Sequence, residues 1–417
     1  MKKLLTLVSL SALITSHAYA LDLGHDVTLK GFGTLGIVNS STGNADFTAN
    51  DFSQPKGAGR TESLSLNPDS RLGLQVDWQA TQKLSITSQA VSKQGPDNSW
   101  IPDLQLAFAK YKLLSNLDIR AGRIRPALFM MSDYLDMYYA NPWIRPPTEL
   151  YNMAPIANHM EGVDFLYRPE TGPVSWLIQP FYGYSQLPIS RNRTVTENDI
   201  LGINISANID DFTLRGGYTH FLMTWADPNY NNKALPILSQ LSAVDPAVLA
   251  QTSNLSLTNR DLNIASLGAN WDNGNYFVMG ELGKKWSTNS TVLDQYSGYF
   301  SLGAHLDKFT PYFSFSATKT TNATSFTGGT GPYAPISNEV LTEILSNFYL
   351  NQNTKTLGVR YDFYKNLDLK VQWDRIDTNT QNGQAGTGGG LLNNQTNDFA
   401  NKNQAIDLFS VACDFIF

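Results

Sequence analysis

The chain has 417 residues, carries a formal net charge of −6, and is 42% hydrophobic with 8 Trp, 19 Tyr and 21 Phe. That acidic balance leaves no basic footprint for nucleic acid, and no segment approaches the ~18 consecutive apolar residues that a membrane-spanning helix requires. Cys413 is the single cysteine, so no intrachain disulfide is available.

In chain order, Lys2 and Lys3 precede an apolar stretch from Leu4 to Ile14, and Ala18-Tyr19-Ala20 closes it before Leu21. A basic start, a short apolar core and small residues at a cleavage point form a secretory signal. Cleavage is expected between Ala20 and Leu21, and it would remove two lysines and leave a more acidic chain. The apolar run is too short to stay as an anchor across a hydrocarbon core of ~30 Å. The expected organisation is a signal peptide over 1–20 and one β-barrel domain over 21–417.

From there on, short segments alternate with period two. In Leu72-Gly73-Leu74-Gln75-Val76-Asp77-Trp78-Gln79 the even positions are apolar and the odd ones polar. Ile205, Ala207 and Ile209 alternate with Asn204, Ser206 and Asn208, and Leu367, Leu369, Val371 and Trp373 with Asp368, Lys370, Gln372 and Asp374. Side chains of a strand point alternately to its two faces, so each segment has one apolar and one wet face. A soluble sandwich has the same period. The charges inside the pattern, and the loop asymmetry described next, favour a barrel whose apolar face meets lipid.

Very short connections occur at 80–83, Ser115-Asn116, Asp210-Asp211, 272–275, Asp307-Lys308 and Lys365-Asn366. Long polar ones lie at about 40–69, 126–161, 226–260, 321–352 and 379–402, with shorter ones near 94–102, 186–198 and 287–291. Tight turns at one end and long loops at the other describe an all-β, antiparallel, up-and-down transmembrane barrel. Eight outer loops and seven turns give about sixteen strands, with fourteen and eighteen left open. Sixteen strands enclose an aqueous channel. Two outer segments, 235–253 and 336–349, have apolar spacing near 3.6 and read as helices.

Residues 117–161 differ from the rest. Leu117, Ile119 and Ala121 alternate with Asp118 and Arg120 as a strand, and Gly122-Arg123-Ile124-Arg125-Pro126 ends it. The connection that follows is rich in aromatics and prolines, among them Phe129, Tyr134, Tyr138, Tyr139, Trp143, Tyr151, Pro142, Pro146 and Pro147. Ser132 is placed to cap two helical turns over 133–140. A loop so apolar is expected to pack, and the lumen offers walls. Strict alternation directs Arg123 and Arg125 toward lipid, at a cost of roughly 2–4 kcal/mol each at mid-membrane. They must sit above the apolar band or follow a bulge.

At the end of the chain, Phe409, Val411, Cys413, Phe415 and Phe417 share one face while Ser410, Ala412 and Asp414 take the other. This ending, the Gly-rich segment 30–36, the Gly-Arg-x-Arg-Pro run and the loop after it resemble the Gram-negative general porins, most closely uncharacterised porin-like proteins of gammaproteobacteria. The resemblance implies a third outer loop folded inward as a constriction, an outer-membrane location, and a terminal assembly signal at Phe415 and Phe417. It also implies contact with outer-membrane lipid, lipopolysaccharide and the barrel assembly machinery, a homotrimer, and no cofactor. By position, Asp133, Asp136 and Glu149 are then the acids of the constriction, facing Arg120, Arg123 and Arg125, with Arg145 able to join either side. Opposed charges across a narrow pore would create a transverse field. Rim charges in the headgroup region are the competing reading.

The function expected is passive diffusion of small hydrophilic solutes and ions. A substrate-specific channel for sugar or phosphate is the alternative, with Tyr138, Tyr139, Trp143 and Tyr151 as an aromatic slide. An outer-membrane enzyme ranks below both: of His25, His159, His220 and His305, only His220 lies near an outer strand end, and no nucleophile motif accompanies it. Gly31-x-Gly33-x-x-Gly36 matches a dinucleotide fingerprint, yet no helix follows it. Glycines that allow close approach in a strand are the better reading.

Overall fold

The computed structural model describes residues 20–50, 53–153, 158–190, 193–228, 230–288, 294–322 and 325–417, so the signal segment 1–19 lies outside the described residues. Period-two alternation is realised as sixteen long antiparallel strands. These are β1 (Val27–Ser40), β2 (Arg71–Gln79), β3 (Leu84–Lys93), β4 (Asp103–Leu114), β5 (Leu117–Ile124), β6 (Met160–Tyr167), β7 (Val174–Ser190) and β8 (Arg193–Ile209). The second half comprises β9 (Phe212–Ala226), β10 (Arg260–Asp272), β11 (Tyr276–Trp286), β12 (Gln295–Ala304), β13 (Phe309–Thr320), β14 (Asn351–Tyr364), β15 (Leu367–Thr378) and β16 (Gln404–Ile416). Each pairs with the next, and β16 returns to β1 in register from Phe32↔Ile416 to Ser40↔Leu408. Closure leaves no sheet edge, as a lipid environment demands.

The faces are inverted relative to a soluble protein. Leu72, Leu74, Val76 and Trp78 of β2 are exposed, whereas Arg71 is buried. On β16, Phe409 and Val411 are exposed while Ser410, Ala412 and Asp414 are buried. On these two strands polar groups thus take the inside and apolar groups the outside, as expected for Phe409 to Asp414 of the last strand, while Cys413, Phe415 and Phe417 are half-buried.

Tight turns join the strands at one end. Asp210, Asp307 and Asn366 take φ of 49°, 55° and 61° there, the left-handed region that Asp and Asn tolerate better than other residues with a Cβ. The connection expected at 186–198 is shorter than its polarity suggests. Strands β7 and β8 continue to Ser190 and from Arg193 because Leu187, Ile189 and Val195 carry the alternation onward and are buried.

The long outer loops carry helices α1 (Thr148–Tyr151), α2 (Leu235–Ser242), α3 (Pro246–Leu255), α4 (Ala334–Ser346) and α5 (Asn397–Ala400). The span 235–253 is two helices instead of one. Asp245 breaks it by accepting a hydrogen bond from Ala247 N (3.0 Å) as the N-cap of α3. Leu238, Leu241, Val248, Leu341 and Leu345 of α2, α3 and α4 join one buried apolar cluster with Phe221 and Met223 of β9 and with Phe129, Trp143, Leu150 and Met153 of the third outer loop.

The barrel seam explains the glycine-rich first strand. Phe417 N donates to Gly31 O (2.8 Å) and Gly31 N to Phe417 O (2.9 Å). A Cβ on Gly31 would stand 2.2 Å from the Phe417 ring, and one on Gly33 would stand 2.5 Å from the Phe415 ring. These glycines make room for the terminal aromatics. Gly31→Leu is therefore expected to displace Phe417 and reduce the yield of folded barrel by at least several-fold. Heat-modifiable gel mobility after refolding would measure it, and an unchanged folded fraction would reject this role for Gly31.

Candidate functional site in the segment 125–153

The third outer loop does not form the helix expected over 133–140. It takes short 3₁₀ turns at Ser132–Tyr134 and Tyr138–Ala140. The Ser132 hydroxyl accepts from Phe129 N (2.9 Å) and so closes a turn before it, leaving no cap for a longer helix. The loop is held by its hydrogen bonds to strands, which outweigh local helix propensity in so short a stretch.

Three charged contacts anchor it to inward-facing side chains. Asp136 is buried and receives Arg71 Nη1 (3.0 Å), Lys93 Nζ (2.7 Å) and Arg125 Nη2 (2.8 Å). Burial by itself would raise this carboxyl, but Lys93, Arg125 and Arg71 around it hold it well below the usual carboxylate range. Arg145 is likewise buried. Its Nε and Nη2 reach Asp69 (2.7 and 2.6 Å), Nη1 reaches Asp374 (3.0 Å), and Nη2 also donates to Ser410 Oγ (2.7 Å). Arg215 of β9 pairs with Glu281 of β11 (3.2 Å) and donates to Leu128 O (3.0 Å), while Glu281 accepts from Met130 N (2.9 Å) and Tyr151 Oη (3.1 Å).

Hydrogen bonds between charged side chains and uncharged partners complete the attachment. Glu149 accepts from Ser316 Oγ (2.7 Å), Gln352 Nε2 (2.7 Å) and Thr354 Oγ1. Lys370 Nζ donates to the carbonyls of Tyr138 (2.8 Å) and Trp143 (3.0 Å) while paired with Asp414 (2.8 Å). Lys285 Nζ donates to Met153 O (2.8 Å). Strands β2, β3, β9, β11, β13, β14, β15 and β16 all contribute a partner, so the segment is gripped from both halves of the barrel.

The sequence-selected charges sort differently from the expected arrangement. Arg120 is bound to Asp164 on the neighbouring β6, with Arg120 Nε to Asp164 Oδ1 at 2.9 Å, and meets none of the loop acids. Arg123 pairs with Glu161 (2.5 Å) across the β5–β6 ladder, in the cross-strand row of exposed Tyr184. It therefore lies on the outward face that strict alternation assigns, with its charge matched at the outer end of the strand. Only Arg125, which follows the strand end, meets a loop acid, Asp136. Asp133 is exposed. Arg145 and Glu149 bind the wall, yet to Asp69, Asp374 and hydroxyl or amide partners instead of the three arginines. Among these partners the parity of their strands marks Arg71, Lys93 and Asp374 as inward; nothing in the sequence marks Asp69, which lies in the first outer loop.

The aromatic slide is also displaced. Tyr138, Trp143 and Tyr151 are buried. Trp143 packs edge-on to Tyr299 at 5.6 Å and Phe129 edge-on to Tyr151 at 5.4 Å, so these rings act as packing. His220 lies within β9 and not at its outer end, with Nδ1 3.2 Å from Asn263 Oδ1. No cluster of three or more His, Cys, Asp or Glu side chains suited to a metal occurs among the described residues.

His159, at the end of the segment, titrates low: burial, then Arg123, Arg125 and Lys93, push it down to about 4. The unfolded chain takes up this proton near pH ~6.5, so the unfolded state holds more protons between these values and stability declines as pH falls from ~6.5 to about 4. His159→Gln is expected to flatten that part of the pH profile of melting temperature. An identical profile in both proteins would reject the assignment.

No protein-family model matches the chain, and no curated protein matches it either. Solved structures do. OmpF of Salmonella typhi, in a complex with daunomycin, is similar at 13% identity with a TM-score of 0.58 over 96% of this chain and all of that one. The outer membrane channel DcaP of Acinetobacter baumannii is similar at 11% and 0.54, covering 95% and 99%. OmpT of Vibrio cholerae is similar at 11% and 0.53, covering 96% and 100%. At such identities the likeness establishes architecture alone, and that architecture is a closed sixteen-stranded antiparallel barrel like those of these outer-membrane proteins.

Proposed function

We propose that the protein is an outer-membrane channel for passive diffusion of small hydrophilic solutes and ions, exported with cleavage after Ala20 and assembled as a homotrimer in contact with lipopolysaccharide. The carrying observation is a polar interior in which the segment 125–153 is fastened from both halves of a closed barrel by buried ion pairs. A fixed obstacle with charges of both signs, set in a polar lumen, restricts passage by size and orients dipolar solutes without a moving part. Its constriction charges are the Asp136 group with Arg71, Lys93 and Arg125, and the Arg145 group with Asp69 and Asp374. A solved trimer among the similar structures, OmpT of Vibrio cholerae, supports the oligomeric reading. No step of this function calls for a catalytic group or cofactor.

The reading is tested by reconstituting the refolded chain in planar bilayers. The expected result is stepwise insertion of channels with ohmic conductance that scales with salt concentration. Membranes that stay silent while the refolded barrel is demonstrably inserted would overturn it.

A further inference from the structure

Between α4 and the outer segment 384–401 lies a cleft of about 890 Å³, within the size range of small-molecule sites. We propose that it binds a neutral saccharide at the channel mouth, an inference that rests on the channel reading for its biological use. Four amides carry the argument, because each has one end committed to a backbone group, three in loops and one in the last turn of α4, and the other end unengaged among the described residues. Asn338 Oδ1 accepts from Gly329 N (2.8 Å), and Asn401 Oδ1 accepts from Gly386 N (2.8 Å), which leaves both NH₂ groups as donors. Asn347 Nδ2 donates to Glu343 O (3.0 Å) and Gln395 Nε2 to Gly389 O (3.1 Å), which leaves both amide oxygens as acceptors.

Pinning fixes the direction of the remaining group before any ligand arrives, so little ordering entropy is lost on binding. Two fixed donors and two fixed acceptors in one cleft match hydroxyl groups, each of which both donates and accepts. Glu339 and Glu343, one turn apart on α4, add further acceptors, and neither makes a side-chain hydrogen bond or ion pair among the described residues. No lysine or arginine lines the cleft. A phosphate or carboxylate ligand would meet two like charges without compensation. A polyamine would satisfy the glutamates but leave the Asn338 and Asn401 donors unmatched. A polyhydroxylated neutral solute satisfies all of them.

The test uses the full refolded chain in detergent, with maltotriose, cellotriose and chitotriose as probes followed by saturation-transfer NMR. At least one trisaccharide is expected to bind saturably at millimolar concentration, and glucose 6-phosphate about tenfold or more weakly. Two variants separate binding from folding. Glu339→Ala/Glu343→Ala removes acceptors from an exposed helix face, and Ala385→Trp fills the cleft from an exposed loop. Each is expected to weaken binding about tenfold or more while leaving the conductance without sugar unchanged. Absence of saturable binding by all three probes below about 100 mM, or binding unaltered in both variants, would overturn the proposal. Spermidine binding tighter than every trisaccharide would overturn it too, reducing the cleft to a pair of negative charges. Binding is read without current: a barrel that conducts but binds no sugar sinks the cleft alone, and one that binds but never conducts sinks only the channel.

Discussion

Replacing Arg145 by alanine is expected to release the third outer loop from the β15–β16 side of the barrel. The guanidinium holds Asp69 through two parallel hydrogen bonds and Asp374 through a third, and all three side chains are almost fully buried. Removing one member of a buried charge group costs about 3–5 kcal/mol, most of it from the carboxylates left without a partner. Here the cost falls mainly on Asp69, because Asp374 keeps hydrogen bonds from Thr356 Oγ1 (2.6 Å) and Gln372 Nε2 (2.9 Å) after the guanidinium is gone. The desolvation of Asp69 can be relieved only if the loop moves and admits water. The expected signs are a lower melting temperature, new protease cleavage within 125–153, and a larger, noisier single-channel conductance. Arg145→Lys should recover only part of the loss, because a lysine cannot form the forked contact with Asp69. Wild-type melting and conductance in Arg145→Ala would show that the loop is held without this group.

Replacing Asp136 by asparagine should shift selectivity toward anions as well as loosen the loop it anchors. The carboxylate is the one acidic ion-pair partner of Arg71, Lys93 and Arg125 among the described residues. Without it three cations face one another beside the lumen. Coulomb's law for one unit charge at ~10 Å, with an effective dielectric between ~80 and ~20, gives about 0.4–1.7 kcal/mol. This corresponds to a roughly two- to seventeenfold shift for each ion, favourable for anions and unfavourable for cations, so the anion over cation permeability ratio, read from the reversal potential in a salt gradient, is expected to rise by about fourfold or more.

The wild-type pH dependence follows from the same group. Its folded pKa lies below the unfolded value of ~3.9, so its stabilising contribution is fully present above that value and is lost only as pH falls through the lower, folded one. The contribution of Asp136 to selectivity should therefore hold from pH 7 to about 4. A reversal potential unchanged by Asp136→Asn would remove this group from the constriction.

How much could be read beforehand differed by element. Strands such as β2 and β15 were legible because lipid on one side and water on the other impose a strict two-residue period. The terminal strand was legible for the same reason, down to the burial of Ser410 and Asp414. The outer part of the β7–β8 hairpin reads as a loop in the sequence, since Gln186, Ser190, Arg193 and Asn198 obscure the thinner signal of Leu187, Ile189 and Val195. Arg123 shows the other side of this: its parity pointed outward, and there it stands, paired with Glu161.

The sequence by itself determined the architecture, because closing every backbone hydrogen bond in a membrane leaves a barrel as the one solution for short alternating segments. Only the tertiary structure decided which charges meet. Asp136 finds Arg71 and Lys93 at sequence distances of 65 and 43 residues, and Arg145 finds Ser410 at 265. Alternation says that a side chain faces inward but not what stands opposite, because that depends on which strands the irregular loop after β5 reaches. The local code ends where the loop leaves β5, and contacts between residues far apart in the chain take over from it.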